Sequence, residues 1–225
     1  MSIIGVKYMK IFLDTADVSM IKPAYETGLL NGVTTNPTLI LKSGRQLNEV
    51  INEISSSFPK LESISAEVVG DTAEEMLFQA KSYYTIAPNV TIKLPCTVEG
   101  LKACNFLSNV SVKTNVTLVF SVAQAILASK AGATYISPFV GRWMDNSVDG
   151  IELIKNIKKV YDHSFSRTEI LSASIRDVRQ VEQSALAGAD VVTIPPVVFW
   201  AMYKNVMTEK GLEQFQKDWE EVLKN

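Results

Sequence analysis

Lys93 lies in the run Val90-Thr91-Ile92-Lys93-Leu94-Pro95, whose β-branched and apolar neighbours mark a buried strand. A lysine is seldom fully inside a protein. Where it is, burial disfavours the ammonium and lowers the pKa, by up to ~3–5 in the extreme. At its ordinary value of ~10.4 a lysine is nearly all ammonium at neutral pH. A desolvated one is in part free amine and can attack a carbonyl to form a Schiff base. Taken alone, Lys93 has a plainer reading, a strand-end lysine with a buried stem and its head in water. Two carboxylates elsewhere in the chain, Asp14 and Glu67, sit at the ends of similar apolar runs. Iminium chemistry needs two proton transfers, one as water leaves the carbinolamine and one as a hydroxyl loses its proton when a C–C bond breaks. Two carboxylates could serve one step each. Arg142 and Arg176 could hold an anionic tail such as phosphate. Each arginine taken singly reads as readily as a surface ion pair.

These residues need elements to bring them together. Strand candidates are Lys10–Thr15, Gly32–Thr35, Ser63–Val69, Val90–Leu94, Val112–Val119, Tyr135–Pro138, Glu169–Ser174 and Asp190–Ile194. Amphipathic helical stretches fall between and after them, among them Asp17–Thr27, Thr72–Tyr84, Val122–Ala131, Val148–Tyr161, Asp177–Ala187 and Val197–Met207. Strands alternating with helices imply right-handed βαβ units and a parallel sheet. Eight such units predict a closed (β/α)8 TIM barrel, one α/β domain over residues 1–225, with the barrel in 9–207. The structural alternative is an open doubly wound sheet, which usually carries a Gly-rich phosphate turn; neither GxGxxG nor GxxxxGK[ST] occurs. Lys130-Ala131-Gly132-Ala133 and Ala187-Gly188-Ala189 read as helix stops at the barrel end far from any active site. A further helix, Leu212–Leu223 within 208–225, carries an apolar stripe of Leu212, Phe215, Trp219, Val222 and Leu223. That stripe can pack on its own barrel or on a neighbouring subunit.

In such a barrel, chemistry sits at the C-terminal strand ends. The polar residues falling there are Asp14-Thr15, Thr34-Thr35-Asn36, Glu67, Lys93, Asn115 with Thr117, Ser137 followed by Phe139 and Arg142, Ser174 with Arg176, and Thr193. Several have plain readings: Thr15 and Asp17 as helix caps, Asn36-Pro37 as a turn. Together they place more buried polarity at one mouth than packing needs, since each unpaired buried group costs ~1–3 kcal/mol.

The totals exclude other chemistries. The chain has 225 residues, 47% hydrophobic and 20% charged, with a net charge of −2. That is the profile of a globular protein with no basic excess for nucleic acid. No run of ~18 apolar residues predicts a membrane span. Cys96 and Cys104 make no disulfide framework. The leader Met1–Tyr8 lacks a signal peptide's apolar centre, Met9 is an alternative start, and a cytoplasmic location is expected. His163, the only histidine, reads as part of a surface turn, so zinc or a histidine-based triad would lack its usual groups.

Six segments carry a resemblance. They are Ile11-Phe12-Leu13-Asp14-Thr15-Ala16, Gly32-Val33-Thr34-Thr35-Asn36-Pro37-Thr38, Ile92-Lys93-Leu94-Pro95, Asn115-Val116-Thr117-Leu118-Val119-Phe120-Ser121, Ser137-Pro138-Phe139-Val140-Gly141-Arg142 and Ala173-Ser174-Ile175-Arg176. In this order the chain resembles the transaldolase family, specifically its small-subunit branch, which includes fructose-6-phosphate aldolases. The resemblance implies a barrel with Schiff-base chemistry, sugar phosphate substrates and neither metal nor organic cofactor. It implies that Lys93 is the nucleophile and that Asp14 takes the C4 hydroxyl proton as the C3–C4 bond of a ketose breaks. Glu67, with Thr117, would position the water lost and regained. Asn36, Asn115, Ser137 and Thr34 would contact substrate hydroxyls, and Arg142, Ser174 and Arg176 would hold the phosphate. Aldolase members resemble one another in having glutamine and tyrosine where this chain has Glu67 and Phe139; transaldolases have this chain's pair. The resemblance thus implies dihydroxyacetone transfer between sugar phosphates, as in the pentose phosphate pathway, with free dihydroxyacetone release as the nearest alternative. A sugar-phosphate-binding barrel without catalysis is the remoter one. Small-branch relatives form pentamers and decamers, the C-terminal helix reaching across to a neighbour. Asp177, an acid beside Arg176, is expected to point away and cap the next helix.

Overall fold

The computed structural model describes residues 8–224. The leader of residues 1–7, on which the choice of start rests, lies outside the described residues. Eight parallel strands close into a barrel in sequence order: β1 Lys10–Asp14, β2 Gly32–Thr34, β3 Ser63–Glu67, β4 Val90–Pro95, β5 Thr114–Val119, β6 Tyr135–Pro138, β7 Glu169–Ser172 and β8 Val191–Ile194. Closure pairs β1 with β8, for example Phe12 with Thr193. The helices between and after them are α1 Val18–Glu26, α2 Pro37–Ser43, α3 Leu47–Ser57, α4 Ala73–Tyr84, α5 Val98–Asn109, α6 Val122–Lys130, α7 Val140–Met144, α8 Gly150–Ser164, α9 Val178–Leu186, α10 Pro196–Ala201 and α11 Val206–Val222. This is the (β/α)8 barrel with an extra C-terminal helix that the periodicity predicts. No helix among the described residues is long and apolar enough to cross a membrane.

Strand alternation sorts the side chains into two cores. Outward residues such as Ile64, Ala66, Ile92, Leu94 and Val116 are buried against the helices. Inward residues fill the barrel in layers. At the N-terminal end Lys10 bridges Glu62 at 2.7 Å and Glu169 at 2.9 Å, and the Tyr135 hydroxyl donates to Glu62 at 2.9 Å. Above this lies an apolar plug of Phe12, Tyr135, Leu171 and Val191. Gly32 makes room for it: a Cβ there would meet the Phe12 ring at 2.8 Å. The polar residues at the C-terminal end therefore sit on an apolar floor.

Capping sets the helix starts that flank the mouth. Asn36 caps α2 by accepting from Leu39 N, with Pro37 in the first turn. Thr72 and Glu75 form a capping box on α4. Asp177 caps α9 as expected, accepting from Gln180 N at 2.8 Å. Gly132 and Gly188 adopt φ of +84° and +89° just past α6 and α9, the helix stops anticipated at the Ala-Gly-Ala pieces.

Several boundaries differ from the sequence reading. The helix expected over Val197–Met207 stops at Ala201, and Asn205 caps a new one by accepting from Met207 N at 2.9 Å. The C-terminal helix therefore begins at Val206 rather than Leu212. β5 starts at Thr114 because Val112 N is used by Leu107 O to close α5. β7 ends at Ser172 because Ser174 is left-handed, φ +63°. His163 lies in the last turn of α8 rather than in a loop.

Candidate active site

The eight strand ends enclose a cavity of about 360 Å³. β4 brings Lys93 to it, and register places Glu67 of β3 on one side of that lysine and Asn115 of β5 on the other. Lys93 is 6% exposed. Its Nζ donates to Glu67 Oε2 at 2.8 Å and to the Thr35 carbonyl at 3.4 Å. The amine thus points inward beside a carboxylate that can exchange a proton with it directly. Asp14, from the end of β1, faces the same cavity. Its Oδ1 accepts from the Thr34 hydroxyl at 2.8 Å, and Thr34 is in turn 2.6 Å from the Thr193 hydroxyl. Burial pushes the Asp14 carboxyl above its ordinary value, against the pull of the Lys93 charge and of the Thr34 hydrogen bond. A carboxyl held in that way keeps its proton to a higher pH than an exposed one does.

The other residues expected at the mouth divide into two groups. Asn36, Ser137, Phe139, Arg142, Ser174 and Arg176 line the cavity with Asp14, Thr34, Glu67 and Lys93. Asn115 and Thr117 are fully buried in the wall on the β5 side. Ser137 Oγ donates to Asn115 Oδ1 at 2.7 Å, which leaves Asn115 Nδ2 unpartnered. Thr117 Oγ1 and Ser65 Oγ are unpartnered too, so the three orphaned polar atoms among the described residues all lie on β3 and β5, the strands on either side of Lys93. Orphans of this kind mark places where water or a ligand supplies the missing bond. Asn36 spends its carbonyl on the α2 cap and keeps its amide N–H groups for the cavity.

At the outer rim Arg142 lies over the Phe139 ring, 4.8 Å from its centroid. Arg176 pairs with Asp145 at 2.9 Å. Two strained backbones shape this rim. Ser174 has φ +63° and Leu118 has φ +57°, both uncommon for side-chain-bearing residues. Leu118 sits where the β5–β6 register shifts between Val116 and Val119, and the bulge turns it into the cavity. Sequence reasoning had no signal for Leu118, whose dihedral is set by the barrel. Thr193 was visible as a polar strand end, and its link to Asp14 through Thr34 shows what it holds in place.

Among the described residues no three His, Cys, Asp or Glu side chains are grouped to hold a metal ion. Cys96 is half-buried and burial pushes its thiol up to about 11, so it carries little thiolate at neutral pH.

The chain matches the family described as transaldolase/fructose-6-phosphate aldolase over residues 11–225. It is 54% identical over 211 residues to a "Probable transaldolase" of Caulobacter vibrioides, covering 94% of this chain and 96% of that protein. It is 52% identical to a "Probable transaldolase 2" of Listeria monocytogenes over the same shares of both chains. Among solved structures it superposes on 3-hexulose-6-phosphate synthase from Salmonella typhimurium with a TM-score of 0.61 at 17% identity, over 83% of this chain and 89% of that one. That likeness concerns the fold alone.

Proposed function

We propose that this chain, which belongs to the transaldolase/fructose-6-phosphate aldolase family, is a class I transaldolase that moves a dihydroxyacetone unit from a ketose phosphate to an aldose phosphate. The donor would be sedoheptulose 7-phosphate or fructose 6-phosphate, and the acceptor glyceraldehyde 3-phosphate or erythrose 4-phosphate. The observation that carries the reading is the buried Lys93 amine held 2.8 Å from Glu67, with Asp14 on the same cavity.

In this reading Lys93 adds to the C2 carbonyl of the ketose. Glu67 passes a proton to the departing hydroxyl, water leaves and the iminium forms. Asp14 takes the C4 hydroxyl proton, the C3–C4 bond breaks, and its electron pair moves into the iminium to give an enamine. The shortened aldose leaves. C3 of the enamine attacks the acceptor aldehyde, Asp14 returns its proton to the new hydroxyl, and water releases the product. Thr117 and Asn115 supply the buried donors for the water and the intermediate, the role their unpartnered atoms support. Asn36, Ser137 and Thr34 contact the hydroxyls, and Arg142, Ser174 and Arg176 hold the phosphate. Phe139, unlike a tyrosine, offers no hydroxyl to orient a hydrolytic water, so the three-carbon adduct persists until an acceptor arrives. We also infer that α11 packs on a neighbouring copy in a ring-shaped homo-oligomer. None of its residues is buried, and Phe215 and Trp219 are 73% and 62% exposed.

Coupled assays test the transferase reading. With fructose 6-phosphate, release of glyceraldehyde 3-phosphate should depend on added erythrose 4-phosphate and yield sedoheptulose 7-phosphate. Equal release without acceptor would identify the aldolase branch instead, and no release under either condition would leave a binding protein.

A further inference from the structure

Arg176 is the one rim arginine turned onto a carboxylate. Its Nη2 donates to Asp145 Oδ2 at 2.9 Å, and both side chains are about half exposed, 52% and 53%. Asp145 is the C-cap residue of α7, three positions past Arg142, so one short helix carries one cation of the rim and the anion that engages the other. The two arginines are held in different ways. Arg142 is held through the face of its guanidinium by the Phe139 ring, and Arg176 through a single N–H at its guanidinium edge.

The elements bearing this pair are fixed against each other. Val140 N donates to Ala173 O at 3.0 Å. Gly141 runs so close to the next strand end that a Cβ there would lie 1.8 Å from Ser174 O. Asp145 therefore stays within reach of Arg176, and the pair opens only by rotation of two exposed side chains. A carboxylate and a phosphate offer oxygens to the same fork of donors. An exposed ion pair is weak, so a dianion that also reaches Arg142 can displace it.

We infer that Asp145 is an internal competitor for the phosphate end of the substrate: it occupies Nη2 of Arg176, a donor that a phosphate would use, and once displaced it stands beside that phosphate as a like charge that speeds release. The inference rests on the proposed reading of Arg142, Ser174 and Arg176 as the phosphate-binding residues. Asp145 touches no reacting atom and acts through Arg176, as a positioning residue that sets affinity for phosphorylated substrates.

The test uses inorganic phosphate as the probe, with binding measured by calorimetry on the whole protein and on Asp145→Asn, Arg176→Gln and the double variant. Competition predicts that Asp145→Asn tightens phosphate about twofold to fivefold, and that this gain vanishes when Arg176 is already glutamine. KM for fructose 6-phosphate should fall by the same factor, while KM for unphosphorylated fructose stays where it was. Weaker or unchanged phosphate binding in Asp145→Asn would overturn the inference, since an aspartate that merely orders Arg176 acts in the opposite direction. Unchanged binding in Arg176→Gln is a separate result: it would remove the phosphate reading itself, and the inference with it.

Discussion

At Asp14, burial opposes ionisation more strongly than the Lys93 charge and the Thr34 hydroxyl favour it. The folded protein therefore holds this proton more tightly than the unfolded chain does. Stability tied to Asp14 is fully present below its ordinary value of 3.8 and is lost as pH rises through the raised value. Asp14→Asn removes the group proposed to move a proton, so kcat should fall by ~10² or more. The same change should raise the thermal midpoint relative to wild type, by an amount that is smallest near pH 3 and widens as pH rises. Scanning calorimetry across pH checks this, and a gap that closes with rising pH would contradict it. The cavity-lining Lys93, Asp14 and Glu67 were legible at this scale because their types are chemically loud: a lysine in an apolar strand and acids at strand ends. Leu118 and Ser174 were not, because a positive φ is imposed by the barrel and leaves no mark in residue type.

Among the elements, α7 couples the end of β6 to the loop after β7. Gly141 permits this by leaving no side chain against Ser174 O. Gly141→Ala forces a methyl into backbone, a mismatch that costs about 1–3 kcal/mol, or roughly 2–12 °C in Tm for a domain of this size. Because Arg142 is the next residue, KM for phosphorylated substrates should rise as well. An unchanged Tm and KM would show that the contact has slack. The strands were readable as short β-branched runs, and eight of them stand where the pattern put them. Their ends were less so. β7 stops two residues early at the left-handed Ser174, and one expected helix divides at Asn205, whose capping bond outweighs the continuous apolar pattern through Val206 and Met207.

For the whole molecule, closure of the barrel is what gathers Asp14, Glu67 and Lys93 from three different strands onto one cavity. Alternation of strands and helices carried that topology in the sequence. The packing of α11 could not be read there, since an apolar stripe is equally suited to its own barrel or to a neighbour. The structure leaves Leu212, Phe215, Trp219, Val222 and Leu223 all more than half exposed. Burying even two large aromatics yields several kcal/mol, so Trp219→Glu combined with Phe215→Glu should shift sedimentation from a multiple of the chain mass toward a single chain. A wild-type protein that sediments as a single chain would contradict the assembly.

The most direct measurement is reduction with borohydride in the presence of fructose 6-phosphate, followed by peptide mass spectrometry. A covalent dihydroxyacetone- or hexose-derived adduct is expected on the peptide containing Lys93, and none in Lys93→Arg. An adduct on a different lysine, or none at all in a protein that still turns over, would contradict it.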